Sequence, residues 1–170
     1  MNNKCFYLID KPLNLTSFDV LRVLRKKLQI KKLGHTGTLD PLASGLLLVG
    51  VGDYTKLITY LEKADKEYEF TINLDGTTET LDLEGEINYI SEEKKKYFKE
   101  NLNIEQINEI LKSKFLGKIT QTPPKYSALK INGKKALDLV RAGIDFEMKS
   151  REITIHNIEI VSLNFPKLTL

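Results

Sequence analysis

Residues 33–45 read Leu-Gly-His-Thr-Gly-Thr-Leu-Asp-Pro-Leu-Ala-Ser-Gly, and no helix or strand accommodates that run. Glycines at this density admit left-handed backbone and close approach of another chain or a ligand, while the proline removes a donor. The stretch is therefore a loop, and its flanks constrain what the rest can become. Upstream, Thr16 or Ser17 can cap a helix with Asp19 in its first turn, after which Val20, Leu21, Leu24 and Leu28 share one face at helical spacing. Downstream, Gly45 to Val51 is apolar and bounded by glycine, which suits a central strand. A loop carrying His35 and Asp40 is thus slung between a helix and a strand, where binding groups tend to sit. It lacks the Gly-Lys-Ser/Thr ending of a phosphate-binding loop and the Gly-x-Gly-x-x-Gly of a dinucleotide site, so both classes are excluded.

The other elements follow from spacing. Cys5 to Ile9 reads as a short buried strand, and Thr55 to Lys63 as a helix with Asp53 near its start. Tyr68, Phe70, Ile72 and Leu74 alternate with Glu69, Thr71 and Asn73, the pattern of a half-buried strand. Asn103 and Gln106 open a helix carrying Ile107, Ile110, Leu111 and Phe115 that ends near Gly117. Another runs from Lys134 to Ala142 and stops at Gly143, and Ile153, Ile155, Ile158 and Ile160 belong to one or two late strands. Strands and helices without strict βαβ alternation predict an α+β fold, a mixed and largely antiparallel sheet flanked by helices. With no linker, repeat or low-complexity tract beyond the run Glu92 to Lys96, the 170 residues read as one domain. Apolar runs such as Leu46 to Val49 fall far short of the ~20 residues of a membrane span. No signal-peptide pattern precedes Asp10. One cysteine excludes an internal disulfide, and one cysteine with two histidines argues against a zinc site.

The net charge is only +3, but its distribution is uneven. Val20 to Leu39 holds six basic residues and no acid, Lys118 to Lys135 holds five lysines and no acid, and Asp75 to Glu93 is acidic without a base. The basic segments form either a patch for a phosphate backbone or solvated surface. Asp40 before Pro41 is either the cap of a helical turn or a lone nucleophile or base, and His35 is either functional or a hydrogen-bonded loop histidine. In Gln121-Thr122-Pro123-Pro124-Lys125-Tyr126-Ser127-Ala128-Leu129-Lys130 the prolines keep the chain extended. Tyr126 is interleaved there with Lys125 and Lys130, either to stack on bases between phosphate contacts or to pack on the core. On pattern alone Tyr68 is the inward residue of its strand.

Together these segments resemble the TruB family of tRNA pseudouridine synthases. Asp10-Lys11-Pro12 followed by Thr16-Ser17 is similar to the family's N-terminal motif, and Gly34 through Gly45 is similar to its catalytic motif. Lys66-Glu67-Tyr68, then Thr78, Thr80, Asp82 and Gly85, then Gln121 through Lys130 with Gly133-Lys134, Arg141 and Gly143 continue the likeness. Asp75, Glu79 and Leu137 depart from it, standing where the family usually has Gly, Asp and an aromatic residue. The resemblance implies the pseudouridine synthase fold and isomerisation of uridine 55 in the T-arm loop of tRNA by base flipping. It makes Asp40 the catalytic aspartate, as nucleophile or as base at the ribose C2′. Tyr68 would stack on the flipped base, His35 would lie by the extruded nucleotide, and Lys11, Lys125, Tyr126 and Lys130 would contact RNA. Because the reaction is an isomerisation, it implies no cofactor and no metal; tRNA is the partner, with no obligate protein partner and no membrane. A cytoplasmic location is expected.

The family continues into a Lys-Gly-Thr-Tyr-Ile-Arg-type motif whose arginine pairs with the aspartate, and often into a C-terminal RNA-binding domain. Neither is found in residues 1–170, so the chain is expected to be the N-terminal part of the catalytic domain, truncated, and little active by itself. Two other readings stay open: a non-catalytic RNA-binding or tRNA-folding module, and a guide-RNA-dependent rRNA pseudouridine synthase subunit.

Overall fold

A computed structural model describes residues 5–127 and 129–170. Residues 1–4, part of the stretch read for a leader, and Ala128 of the Tyr-Ser-Ala-Leu-Lys run lie outside the described residues. The chain divides into two compact units, Met1–Glu67 and Tyr68–Leu170.

The first unit runs β1 (Cys5–Lys11), α1 (Ser17–Leu28), β2 (Leu33–His35), β3 (Gly45–Val51), a 3-10 turn (Gly52–Leu57) and α2 (Ile58–Leu61). The strands form one antiparallel sheet in the order β1-β3-β2, so the glycine-bounded run is central as its composition predicts. Register places Cys5 and Ile9 opposite Val51 and Leu47, and Leu33 and His35 opposite Val51 and Val49, all on one face. That face receives Val20 and Leu21 of α1, and this cluster is the core of the unit. Val49 and Val51 are fully buried, which contributes roughly 1.5–3 kcal/mol apiece. Helix α1 starts at a capping box: Thr16 Oγ1 accepts from Asp19 N, and the Asp19 carboxylate accepts from Thr16 N. The Thr16 hydroxyl and Thr16 N both donate to the Asp19 carboxylate and, with the Arg22 guanidinium, hold it below its ordinary pKa.

On the opposite face Gly34 and Gly50 pair across the strands beneath the turn that follows β3. The helix expected over Thr55–Lys63 is instead that 3-10 turn and a single α-helical turn, held tight against the two glycines. A Cβ on Gly50 would stand 3.0 Å from Tyr54 O and 3.3 Å from Ile58 Cδ1. Because backbone cannot yield as a side-chain tip does, Gly50→Ala should cost about 1–3 kcal/mol in urea unfolding. Gly37→Ala, with nothing within 4 Å of its Cβ, should stay within about 0.5 kcal/mol of the parent.

The second unit contains β4 (Thr71–Asn73), β5 (Gly76–Thr77), β6 (Asn88–Tyr89), α3 (Glu92–Asn101), α4 (Ile104–Lys114), β7 (Gly117–Gln121), β8 (Lys130–Ile131), β9 (Lys134–Lys135), α5 (Ala136–Arg141), β10 (Arg151–Ile155), β11 (Ser162–Asn164) and β12 (Lys167–Thr169). Here the β-structure is one three-stranded sheet, β11-β12-β4, and three two-stranded ribbons, β5-β6, β7-β10 and β8-β9. Every described pair in the chain is antiparallel. Asn103 caps α4 by accepting from Gln106 N, as expected, and α4 buries Ile107 and Leu111 against Leu168 of β12. Ile110 and Phe115 stay exposed, because one sheet of three short strands covers only part of the predicted apolar face. The run Glu92 to Lys96, read as low complexity, is the first half of α3, capped by Ser91. The Lys134–Ala142 helix is shorter than expected because Asn132-Gly133, both at positive φ, turn β8 into β9 first.

Candidate active site

The loop after β2 is built from the sheet outward. His35 shares the core face with Leu33, so its ring lies half-buried, and Nδ1 is buried with no hydrogen-bond partner among the described residues. Thr36 N still donates to Leu48 O, which extends the ladder by one bond before the chain leaves the sheet. Asp40-Pro41-Leu42-Ala43 is a turn closed by Ala43 N donating to Asp40 O at 3.0 Å, with proline at its second position. The Asp40 side chain is exposed and caps nothing: it makes no hydrogen bond or ion pair among the described residues. Gly45, at φ +123, returns the chain to β3.

The segment before α1 lies against this loop. Asn14 N donates to Pro41 O at 2.7 Å, and Ser17 Oγ bonds both backbone groups of Leu39. Lys11 requires a correction. Expected at an RNA phosphate, it is 0% exposed, and its Nζ donates to Pro12 O at 3.0 Å and Leu15 O at 2.7 Å. Its alternation within β1 puts it inside, where the ammonium ties up two carbonyls as the chain turns toward α1.

Within the second unit, Tyr68 precedes β4 and is 62% exposed rather than a core tyrosine, because β4 is an edge strand. The residues of the Thr78–Gly85 motif close their own loop. Thr78 Oγ1 donates to Asp82 O, while Asp82 Oδ1 accepts from Thr80 Oγ1 and Glu84 N. A Cβ on Gly85 would stand 2.5 Å from Thr80 Oγ1.

The Pro-Pro-Lys-Tyr segment belongs to a long excursion between the paired strands β7 and β10. Its base is joined by Thr122 and Ser150 hydroxyls 2.7 Å apart and by the Arg151 guanidinium donating to Gln121 Oε1. Lys125 Nζ is 3.0 Å from Asp145 Oδ1 and 5.5 Å from the centroid of the Phe146 ring. This ion pair, first through its hydrogen bond, lowers the pKa of Asp145. Lys125, Asp145 and Phe146 line a cavity of about 490 Å³ with Thr122, Pro123 and Met148. Tyr126 is half-buried; desolvation and a hydrogen bond with Glu79 raise its phenol pKa. Lys130 is exposed on β8, opposite Lys135.

His35 therefore ends β2, so the loop expected over residues 33–45 begins only after it and carries Asp40, while Lys125, Tyr126 and Lys130 belong to one excursion. Sequence reasoning missed Asn14 and Ser17 as holders of the Asp40 loop, and Asp145 and Glu79 as partners of Lys125 and Tyr126. Nothing in local spacing links residues so far apart in the chain.

The family described as "TruB family pseudouridylate synthase (N terminal domain)" matches residues 25–170. A tRNA pseudouridine synthase B of Fusobacterium nucleatum is 48% identical over 153 residues, 90% of this chain and 50% of that protein. Another, from Clostridium tetani, is 42% identical over 158 residues, 93% of this chain and 52% of that protein. The chain thus spans about half the length of these curated relatives. Among solved structures, that of a Cbf5-Nop10-Gar1 complex superposes with a TM-score of 0.64 at 26% identity, covering 98% of this chain and 38% of the matched one. An H/ACA RNP bound to a substrate RNA containing 2′-deoxyuridine shares the fold, with a TM-score of 0.60 at 23% identity.

Proposed function

Because the chain belongs to the TruB family of pseudouridylate synthases, we propose that its gene product converts uridine to pseudouridine at position 55 in the T-arm loop of tRNA, with Asp40 as the catalytic carboxylate. The observation that carries this is the exposed Asp40 side chain, without a partner among the described residues, on a turn whose backbone is tied down on both sides.

The reaction breaks the N1–C1′ bond of the nucleoside, turns the uracil and forms a C5–C1′ bond; C5 loses a proton and N1 gains one. Electrons balance without an oxidant or an external group, so the residues required are a carboxylate and groups that hold the base. Asp40 either attacks the nucleoside or takes the C2′ proton. The glycosidic bond inside a stacked loop is out of reach of a side chain, so the uridine is flipped out first. Tyr68 offers an exposed ring to stack on the flipped base, and His35 a half-buried imidazole beside its path. Lys125, Tyr126 and Lys130 meet the RNA from the β7–β10 excursion, with Lys125 exchanging Asp145 for a phosphate. Residues 25–170 match the family's N-terminal domain, so this chain is read as the N-terminal part of the catalytic domain.

Identities of 42–48% with tRNA pseudouridine synthases B, against 26% with Cbf5, favour an enzyme that needs no guide RNA. The complete gene product should release tritium from a T-arm hairpin carrying [5-³H]uridine, with no guide and no added protein. Turnover only with guide RNA and partner proteins would move the assignment to the guide-dependent class.

A further inference from the structure

Ser17 is 1% exposed at the first position of α1, yet it is not the helix cap, because Thr16 fills that role. Its hydroxyl acts 22 residues away, donating to Leu39 O at 3.1 Å and accepting from Leu39 N at 2.9 Å. Leu39 is the residue before Asp40, and Pro41, the residue after it, accepts from Asn14 N. The 14–17 segment is itself pinned by the capping box and by Lys11 Nζ on Leu15 O. Backbone groups of the two residues flanking Asp40 are therefore clasped by one short, fixed segment. Since the carboxylate has no side-chain partner among the described residues, its aim depends on this backbone. From this geometry we infer that Ser17 is a positioning residue for Asp40, setting where the carboxylate meets the nucleotide without touching it. The inference rests on Asp40 being the catalytic group.

The test compares Ser17→Ala and Ser17→Thr with the parent in the complete gene product, below the melting temperature of all three. An ångström of misplacement costs up to ~100-fold in rate, so Ser17→Ala should lower kcat on the T-arm hairpin by roughly 10- to 100-fold, with KM within about twofold. Ser17→Thr, which restores the hydroxyl, should recover most of the rate. Amide exchange should speed up in the alanine variant at Leu39 and at Asn14, whose acceptor is on the far side of Asp40, but not at Thr36. A merely structural role would not split kcat from KM, nor would the hydroxyl rescue it. An unchanged kcat, or a loss confined to KM, overturns the inference. So does unchanged protection at Leu39 and Asn14, and that readout decides the clamp even if the parent makes no pseudouridine, in which case the proposed function fails by itself.

Discussion

Asp40→Asn should abolish pseudouridine formation, lowering tritium release from the T-arm hairpin by at least about 10⁴-fold while RNA affinity stays within about twofold. The change nearly preserves shape, and the wild-type carboxylate is exposed and unpaired among the described residues, so neither fold nor melting temperature should move. An amide neither attacks carbon nor accepts the C2′ proton, so the loss is expected under either mechanism. The result also separates a catalyst from an RNA-binding or tRNA-folding module. Tritium release by the asparagine variant at near parental rate would remove Asp40 from the chemistry. Binding by both proteins with turnover by neither would leave a module that folds RNA.

The second large effect is at Lys11. Lys11→Glu sets a carboxylate against the Pro12 and Leu15 carbonyls at a site with no exposure, at a cost of about 3–5 kcal/mol, a large share of the stability of a typical domain. Lys11→Met keeps the apolar stem and loses only the ammonium's hydrogen bonds, so its urea midpoint should fall by the equivalent of about 1–3 kcal/mol. RNA affinity of the methionine variant, and its slope against salt, should match the parent, because a buried ammonium releases no counterion from RNA. A methionine variant of unchanged stability whose salt slope drops by about one would return Lys11 to the phosphate contacts.

Much of the first unit was legible from local chemistry. Thr16 and Asp19 three residues apart wrote the start of α1, and apolar spacing wrote its buried face. The run Gly45 to Val51 was a central strand, as its glycine bounds and lack of charge predicted. Legibility dropped where a neighbour distant in sequence took over. The Thr55–Lys63 helix became a 3-10 turn because paired glycines let it press on the sheet, and α4 left Ile110 and Phe115 exposed because the sheet covering it is small. For the candidate site, composition and spacing singled out the segment with His35 and Asp40, and the roles expected of them came from the family resemblance. What each does locally was not legible: one ring is half-buried by strand register and one carboxylate is exposed with no partner among the described residues.

Sequence by itself determined the start of α1, the central strand β3, the loop that carries Asp40 and the family, because caps, periodicity and motif order are written within a few residues of one another. Tertiary structure alone decided that Lys11 is a buried strut, that Ser17 serves Leu39 rather than its own helix, and that Lys125 is paired with Asp145. Each of those facts is a hydrogen bond or an ion pair whose geometry or partner is set by the folded backbone. Residue type and spacing declare that a polar group needs a partner, and the path of the chain decides which one it meets.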